Sequence, residues 1–223
     1  AVKNGVPKAQ AETIFELLAK FADYGFNKSH AAAYALVSYH TAYMKAHYPV
    51  EFIAASMTLD LNNTDKLSEF RSEAQRLGIK VEPPNINRSG ATFEVGEKTI
   101  YYALAALKGV GIQAIEQIIE ERTKRGLFTS LADFAARVNP RAINKRIIES
   151  LAAAGAFDTL EPNRARVFAG ADAILAACQR AHEAATIGQN DMFGMSADAP
   201  TIMLPQIEPW LPAERLRREY DAI

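Results

Sequence analysis

Two glycines that flank a single valine interrupt a helical pattern in the stretch LAALKGVGIQAIEQII, residues 104–119. Leu104 and Leu107 lie three positions apart before the interruption. Apolar residues return at helical spacing after it, at Ile115, Ile118 and Ile119. Because glycine permits a tight backbone turn that side chains would block, the stretch predicts two helices joined by a hairpin. This is the spacing of a helix-hairpin-helix motif.

The predicted hairpin has the chemistry of an anion site. Its backbone N–H groups meet the start of the next helix, whose dipole favours negative charge. We therefore predict that Lys108, Gly109, Val110 and Gly111 bind a DNA phosphate without reading the base sequence. An ordinary helix–turn–helix corner with a glycine-rich turn would give the same pattern, and that alternative stays open.

A second, weaker copy of the motif is predicted in INKRIIESLAAAGAFDTL, residues 143–160. The overlapping stretch RVNPRAINKR contains four basic residues and no acidic residue, namely Arg137, Arg141, Lys145 and Arg146. Paired hairpins with Arg141, Lys145 and Arg146 beside them would bind the backbone of duplex DNA in a salt-dependent manner. A solvated charged face is the alternative interpretation.

Helical periodicity predicts a mainly α fold. Helices are expected in residues 1–78, where Ile14, Leu17, Leu18 and Phe21 share one face, Ser29 suits an N-cap and Gly78 a C-cap. Residues 79–103 predict an extended segment and a small β hairpin of two strands. Helices resume over 104–187, a loop follows over 188–212, and residues 213–223 begin a further amphipathic helix. A helix that stops there predicts a piece of a longer protein.

The stretch YGFNKSHAAAY is the densest polar cluster in the first half of the chain. Lys28 precedes a predicted helix start, whose free N–H groups and lysine charge would both attract phosphate. His30 and Tyr24 carry rings that can pack on a sugar or a base. From the residues alone, the favoured interpretation is simpler: Ser29 caps a helix, and Lys28 and His30 are exposed.

Composition narrows the function classes. The net charge of −1 counts mildly against a nucleic-acid binder. Cys178 is the only cysteine, so no disulfide framework or multi-cysteine metal site is expected. The sequence lacks a run of apolar residues that could span a membrane and an apolar signal segment, which together favour a cytoplasmic protein. It also lacks an Asp-x-Asp pair for two-metal phosphoryl transfer.

These pieces, in this order, resemble the family of bacterial DNA polymerase III alpha subunits, which are replicative C-family polymerases. The resemblance is carried by FADYGFNKSHAAAYALVSY, MKAHYPVEF, LKGVG, AGAFD and GQNDMFG, and it covers nearly the whole chain. It implies the end of a fingers domain over 1–78 and a tandem helix-hairpin-helix domain that contacts duplex DNA and the sliding clamp. The palm aspartates, their Mg²⁺ and an OB-fold domain would lie outside this chain, which alone would be inactive.

The same resemblance assigns roles to two clusters. Tyr24, Asn27, Lys28, Ser29 and His30 would face the incoming deoxynucleotide, with His30 crowding a ribonucleotide's 2′-hydroxyl. QNDMF, residues 189–193, would bind the sliding clamp (beta subunit). Its contact residues would be Gln189 at the rim of a pocket, Asp191, and the apolar anchors Met192 and Phe193. Other polymerase III holoenzyme subunits are further implied partners, and no membrane is.

Three alternatives remain at this stage. One is an error-prone paralogue of the same polymerase; such relatives often lack a good clamp peptide, so QNDMF favours the replicative enzyme. Another is a free-standing helix-hairpin-helix adaptor that binds DNA without a polymerase. The third is a helical scaffold with no DNA role. For the clamp peptide itself, the alternative is that Met192 and Phe193 fold back onto their own helices.

Overall fold

The computed structural model describes residues 2–23, 28–187 and 200–223. The chain divides into two compact units, Ala1–Tyr48 and Pro49–Ile223. No helix in the described ranges combines the length and apolar composition that crossing a membrane requires.

The first unit consists of a 3-10 turn, Val2–Asn4, and two helices, α1 (Lys8–Asp23) and α2 (Lys28–His47). The apolar stripe predicted for α1 faces solvent within this unit: Ile14, Leu17, Leu18 and Phe21 are 48–64% exposed. Helix α2 begins at Lys28, two residues before the start that an N-cap at Ser29 implies. Ser29 therefore lies in the first turn, and its prediction as the N-cap is wrong.

The second unit opens with two helices whose ends follow local sequence rules. Helix α3 (Pro49–Leu59) buries Val50, Ile53, Ala54 and Met57, which recur at helical spacing. Asn63 caps α4 (Thr64–Arg76), because its side chain accepts a hydrogen bond from the Lys66 N–H. Gly78 ends that helix with a φ of +71°, as predicted for a C-cap glycine.

A three-stranded sheet follows, with the strands in the order β1–β3–β2. Strands β2 (Glu94–Val95) and β3 (Thr99–Tyr101) form the predicted antiparallel hairpin. Strand β1 (Lys80–Glu82) pairs in parallel with β3 and lies in the segment predicted only as extended. The sequence therefore predicted two of the three strands, because a parallel partner leaves no local turn signal.

The prediction that α-helix resumes at Leu104 is wrong. Leu104–Ala106 forms only a 3-10 turn, and Leu107 has an extended backbone. Six consecutive residues, 102–107, are buried, so this segment fills the core on all sides. An amphipathic helix would have exposed one face of it.

Five helices build the remainder of the core: α5 (Ile112–Arg125), α6 (Leu131–Arg137), α7 (Lys145–Ala153), α8 (Arg164–Ala169) and α9 (Ala171–Ile187). Phe134 lies at the centre, edge-on to Phe128 and Phe157 with ring centroids 5.2 Å away in both cases. Such packing of large apolar rings is a major source of stability in a core of this size.

The segment 200–211 has no helix or strand, yet side chains of the second motif fix it in place. The Asn163 amide donates to the carbonyl of Ile207, and the Arg166 guanidinium donates to that of Pro205. Trp210 packs edge-on against Phe168 at 5.5 Å. The segment leads into α10 (Pro212–Ala222), the helix predicted from residue 213.

Candidate nucleic-acid interface

The first predicted hairpin turn is present at residues 108–111, between the buried 3-10 turn and α5. Gly109 has a φ of +78°, a conformation that residues with a side chain rarely adopt. Val110 is 7% exposed and anchors the turn in the core. Gly111 is the residue before α5, and a side chain added there would extend into open space. The turn is thus buried on one side and open on the other.

Four backbone N–H groups at this turn are available to a ligand. In the described part of the chain, no hydrogen bond is made by the N–H groups of Gly109, Gly111, Ile112 or Gln113. Gly111 has no side chain to cap α5, whose first turn also lacks an acidic residue. These N–H groups lie at the positive end of the helix dipole. The arrangement therefore matches an anion such as a phosphate.

Arg146 reaches this turn from α7. A Cβ atom built on Gly109 would lie 2.7 Å from Arg146 Nε, so the guanidinium covers the glycine directly. Among the described residues, Arg146 makes no ion pair. Lys145 and Arg146 lie in the first turn of α7, and that turn contains no acidic residue. Cations near the N-terminus of a helix are repelled by the positive end of its dipole, so they do not stabilise α7. Their position is suited instead to binding an anion.

Lys108 connects the turn to two other helices. Its N–H donates to the carbonyl of Ala222 in α10, at 2.8 Å. Its carbonyl accepts from the Ser150 hydroxyl of α7, also at 2.8 Å. Its Nζ lies 5.8 Å from the centroid of the exposed Tyr220 ring. Ser150, Tyr220 and Ala222 were missed in the sequence, because no local spacing links α7 and α10 to the turn.

The other basic residues of 137–146 differ in their availability. Arg141 is exposed and its side chain makes no ion pair in the ranges that the structure covers. Lys145 pairs with Asp172 at 2.6 Å, which neutralises part of its charge. The Arg137 side chain is only 8% exposed: it pairs with Asp133 and donates to the carbonyls of Glu121 and Gly126 at the end of α5. Arg137 is therefore structural, and the free basic stretch is shorter than its sequence indicated.

The second hairpin has the same glycine turn but an occupied interior. Gly155 has a φ of +85°, and a Cβ atom there would lie 2.1 Å from Arg164 Nη2. Arg164 is 8% exposed and donates to both carboxylate oxygens of Asp158, to Glu219 and to the carbonyl of Ala153. Burial lowers the pKa of this guanidinium, but its bonds to the two carboxylates outweigh burial and raise that pKa.

Three N–H groups of this second turn are satisfied within the fold. Those of Gly155 and Ala156 donate to carbonyls of α7, and that of Asp158 donates to Gly155. Asn163 caps α8 by accepting from the N–H groups of Ala165 and Arg166. The two hairpins therefore differ in chemistry: only the first presents unbonded N–H groups beside an unpaired arginine within the described residues.

The remaining predicted site residues fall largely outside the described ranges. Tyr24 and Asn27 lie outside them, as do Gln189, Asp191, Met192 and Phe193. Lys28 begins α2. Ser29 and His30 are exposed in the first turn of α2, and the His30 ring lies 4.4 Å from that of Tyr34.

Comparison with known proteins agrees with this geometry. Residues 78–167, which include both hairpins, match a family described as a helix-hairpin-helix motif. The whole chain is 48% identical to the DNA polymerase III subunit alpha of Caulobacter vibrioides and 46% identical to that of Vibrio cholerae. The Escherichia coli subunit is 50% identical over 202 residues, or 90% of the chain. The chain spans about a fifth of the length of these relatives.

Proposed function

Since this chain is homologous to a continuous fifth of DNA polymerase III alpha subunits, we propose that it provides a duplex-DNA binding site of such a polymerase. The observation that carries the proposal is the first hairpin, where the N–H groups of Gly109, Gly111 and the start of α5 are unbonded. Lys108 belongs to this turn, and the Arg146 guanidinium lies against Gly109. A phosphate at this turn would receive hydrogen bonds from the backbone and charge from both side chains.

Such a contact is independent of base sequence, which suits a polymerase that copies any template. Phosphates occur in every duplex, whereas base edges differ from one sequence to another. Arg141 and Lys145 would add weaker, longer-range attraction along the same face. The affinity for duplex DNA is therefore expected to depend on salt concentration and not on the base sequence.

The direct test measures binding of the chain to two fluorescein-labelled duplexes of unrelated sequence by anisotropy. We expect equal affinities for both duplexes and at least a tenfold loss in a Lys108→Ala/Arg146→Ala variant. Arg180→Ala is the matched control, since Arg180 is an exposed residue of α9 and not part of the hairpin. Equal losses in the two variants would refute the hairpin as the site.

We also propose that the region around the start of α2 contributes to the nucleotide site. Tyr24, Asn27, Lys28, Ser29 and His30 match the polymerase stretch quoted above, and a helix N-terminus beside lysine is suited to a triphosphate. His30 would disfavour ribonucleotides by crowding the 2′-hydroxyl. In the full-length polymerase, His30→Ala should raise ribonucleotide incorporation; unchanged discrimination would remove that role.

A third proposal concerns the sliding clamp. Met192 and Phe193 would fill an apolar pocket on the clamp, with Gln189 and Asp191 making polar contacts at its rim. Surface plasmon resonance on the clamp of the same organism should show micromolar binding that Met192→Ala/Phe193→Ala abolishes. Binding that survives the double substitution would place the contact elsewhere.

The chemistry of DNA synthesis is proposed to belong to other parts of the polymerase. Palm aspartates holding Mg²⁺ would catalyse nucleotidyl transfer, while this chain positions DNA and deoxynucleotide. A primer-extension assay with the chain alone should therefore give no incorporation. The full-length enzyme should extend the same primer.

A further inference from the structure

A large aromatic side chain is exposed directly beside the first hairpin. Tyr220 lies on α10, is 74% exposed, and its hydroxyl makes no hydrogen bond with the described residues. Its ring centroid lies 5.8 Å from Lys108 Nζ. A phosphate oxygen bonded to that ammonium would lie about 2.8 Å from Nζ. The Tyr220 ring and hydroxyl are therefore neighbours of any phosphate that Lys108 binds.

The backbone that carries Tyr220 is fixed to both hairpins. Two residues further on, the Ala222 carbonyl accepts a hydrogen bond from the Lys108 N–H at 2.8 Å, and Ala222 itself is buried. One residue before, Glu219 accepts a hydrogen bond from Arg164 at 2.9 Å. The position of Tyr220 relative to Lys108 is thus set by the fold, and this lowers the ordering cost of a contact between the ring and a ligand.

Helix α10 separates two openings beside the hairpin. Leu216, Tyr220 and Ile223 are spaced to share one face of the helix, and they line a cleft on that side. Asp221 lies on another face and lines a groove of about 280 Å³ between α7 and α10, which Arg146 also lines. A DNA strand bound at the hairpin therefore has two paths, one along each of these faces.

The charges on the two faces differ. The groove is lined by Glu149 and Asp221, which make no ion pair within the part of the chain that the structure describes. In the cleft, by contrast, the lining carboxylates of Glu82 and Glu219 each have a basic partner in the fold. Because free carboxylates repel phosphates, the Tyr220 face is the more favourable path for a DNA backbone.

We propose that Tyr220 contacts DNA, and that the strand held at the first hairpin runs along the Tyr220 face of α10. The inference rests on the proposed function, since it extends the same phosphate site. The Tyr220 hydroxyl donates to the phosphate next to the one that Lys108 binds, and the ring packs on the sugar between them. Tyrosine is a common donor to phosphates, and such contacts do not read the base sequence.

The experiment measures duplex binding by anisotropy over a range of salt concentrations. Tyr220→Phe keeps the ring beside Lys108 and should weaken binding about fivefold, because one hydrogen bond is lost. Its salt slope should match that of the natural chain, since a neutral hydroxyl releases no counterion. Tyr101→Phe is the matched control and should bind normally. Tyr101 also has a cation beside its ring, Arg88 at 3.8 Å, but it lies on β3 and not at the hairpin.

Tyr220→Leu separates a direct contact from an effect through Lys108. The proposal predicts a larger loss of affinity than for Tyr220→Phe, because the ring is removed as well. Natural affinity in Tyr220→Phe, together with weaker binding and a shallower salt slope in Tyr220→Leu, would show that the ring only positions Lys108. That result would overturn the proposal. Since Tyr220 is mostly exposed, neither change is expected to disturb the fold.

Asp221→Asn tests the path of the strand. With DNA on the Tyr220 face, the affinity should change by less than about twofold at physiological salt, where exposed charges are screened beyond about 8 Å. A larger rise in affinity would place the strand in the groove beside Asp221 and would overturn the proposed path.

The Lys108→Ala/Arg146→Ala variant distinguishes failure of this inference from failure of the proposed function. Normal DNA binding by that variant would refute the hairpin as the site, and the Tyr220 contact with it. Weak binding by that variant, together with normal binding by Tyr220→Phe and Tyr220→Leu, would leave the hairpin in place and overturn only the Tyr220 contact.

Discussion

Gly109 and Gly155 have corresponding places in the two hairpins, and a guanidinium covers each of them. Arg146, over Gly109, makes no ion pair in the described part of the chain. Arg164, over Gly155, donates to two carboxylates and a carbonyl. The same residue type therefore has two roles, set by the acceptors around it. In the first hairpin the arginine is available to a ligand, and in the second it belongs to the fold.

Replacing each arginine should separate these roles. Arg164→Met should lower the free energy of unfolding by about 3 kcal/mol, because Asp158 and Glu219 lose the buried partner they share. Arg146→Ala should change it by less than about 0.5 kcal/mol, since the side chain is exposed. Urea unfolding followed by circular dichroism measures both. Equal effects on stability would contradict the assignment of different roles.

The glycines give a matched test of turn geometry. Gly109→Ala should destabilise the fold by about 1–2 kcal/mol, because alanine is strained at positive φ. Its Cβ would also displace Arg146, so DNA binding should weaken. Gly111→Ala should have little effect on stability, since the φ of Gly111 is −77° and the space beyond it is open. A similar loss of stability for both would show that the turn is not formed as described.

Because of Tyr102, we predict that the folded chain loses stability at alkaline pH. Its pKa is raised from 10.0 to about 12, so the folded state favours the neutral hydroxyl. This contribution is complete below pH 10 and is lost as the pH rises towards 12. The stability of the natural chain should therefore fall relative to Tyr102→Phe over that window. Cys178, whose pKa burial raises to about 11, is common to both chains and cancels from the difference. A constant difference from pH 8 to 12 would contradict burial of the hydroxyl.

At the scale of elements, α10 is the helix on which both hairpins depend. Its Ala222 carbonyl accepts from the first turn, and its Glu219 pairs with the arginine of the second. The sequence predicted that α10 forms but gave no indication of where it packs. Docking of this kind is decided by contacts between positions 55 or more residues apart, which no local pattern records.

The exposed apolar stripe on α1 leads to a separate prediction, about self-association. Within its unit, α1 leaves Leu17 and Phe21 more than 60% exposed, a large apolar surface for a helix in water. The isolated chain should therefore self-associate at high concentration, and Leu17→Glu/Phe21→Glu should reduce this. Ala19→Glu adds charge on the opposite face of the helix and should not. Sedimentation velocity distinguishes the outcomes, and a strictly monomeric natural chain would show that the stripe is covered.

Local signals predicted most helices, the β2–β3 hairpin and the first glycine turn. They failed where tertiary packing decides the outcome. Residues 104–106 have a helical pattern, yet they form a single 3-10 turn because the segment is buried on all sides. Arg137 reads as part of a basic surface, yet it caps the end of α5 from within. The availability of a charge depends on its neighbours in space, which the sequence alone does not give.

At the scale of the whole molecule, the position of the positive charges matters more than the net charge. The net charge is −1, which does not favour DNA binding. The fold nevertheless gathers Lys108 and Arg146 around one turn, while acidic residues pair with Lys145 and Arg164 elsewhere. A nearly neutral protein can therefore present a small phosphate site, and its affinity should come from a few contacts.

The most direct test of this account is the salt dependence of duplex binding, measured for the natural chain and for Arg146→Ala by anisotropy. Each phosphate contact contributes a slope of about −0.9 to the logarithmic plot of affinity against salt concentration. The account predicts a clearly negative slope for the natural chain, and a slope shallower by about one contact for the variant. Salt-independent binding, or identical slopes for the two proteins, would contradict the claim that Arg146 and the first hairpin hold a DNA phosphate.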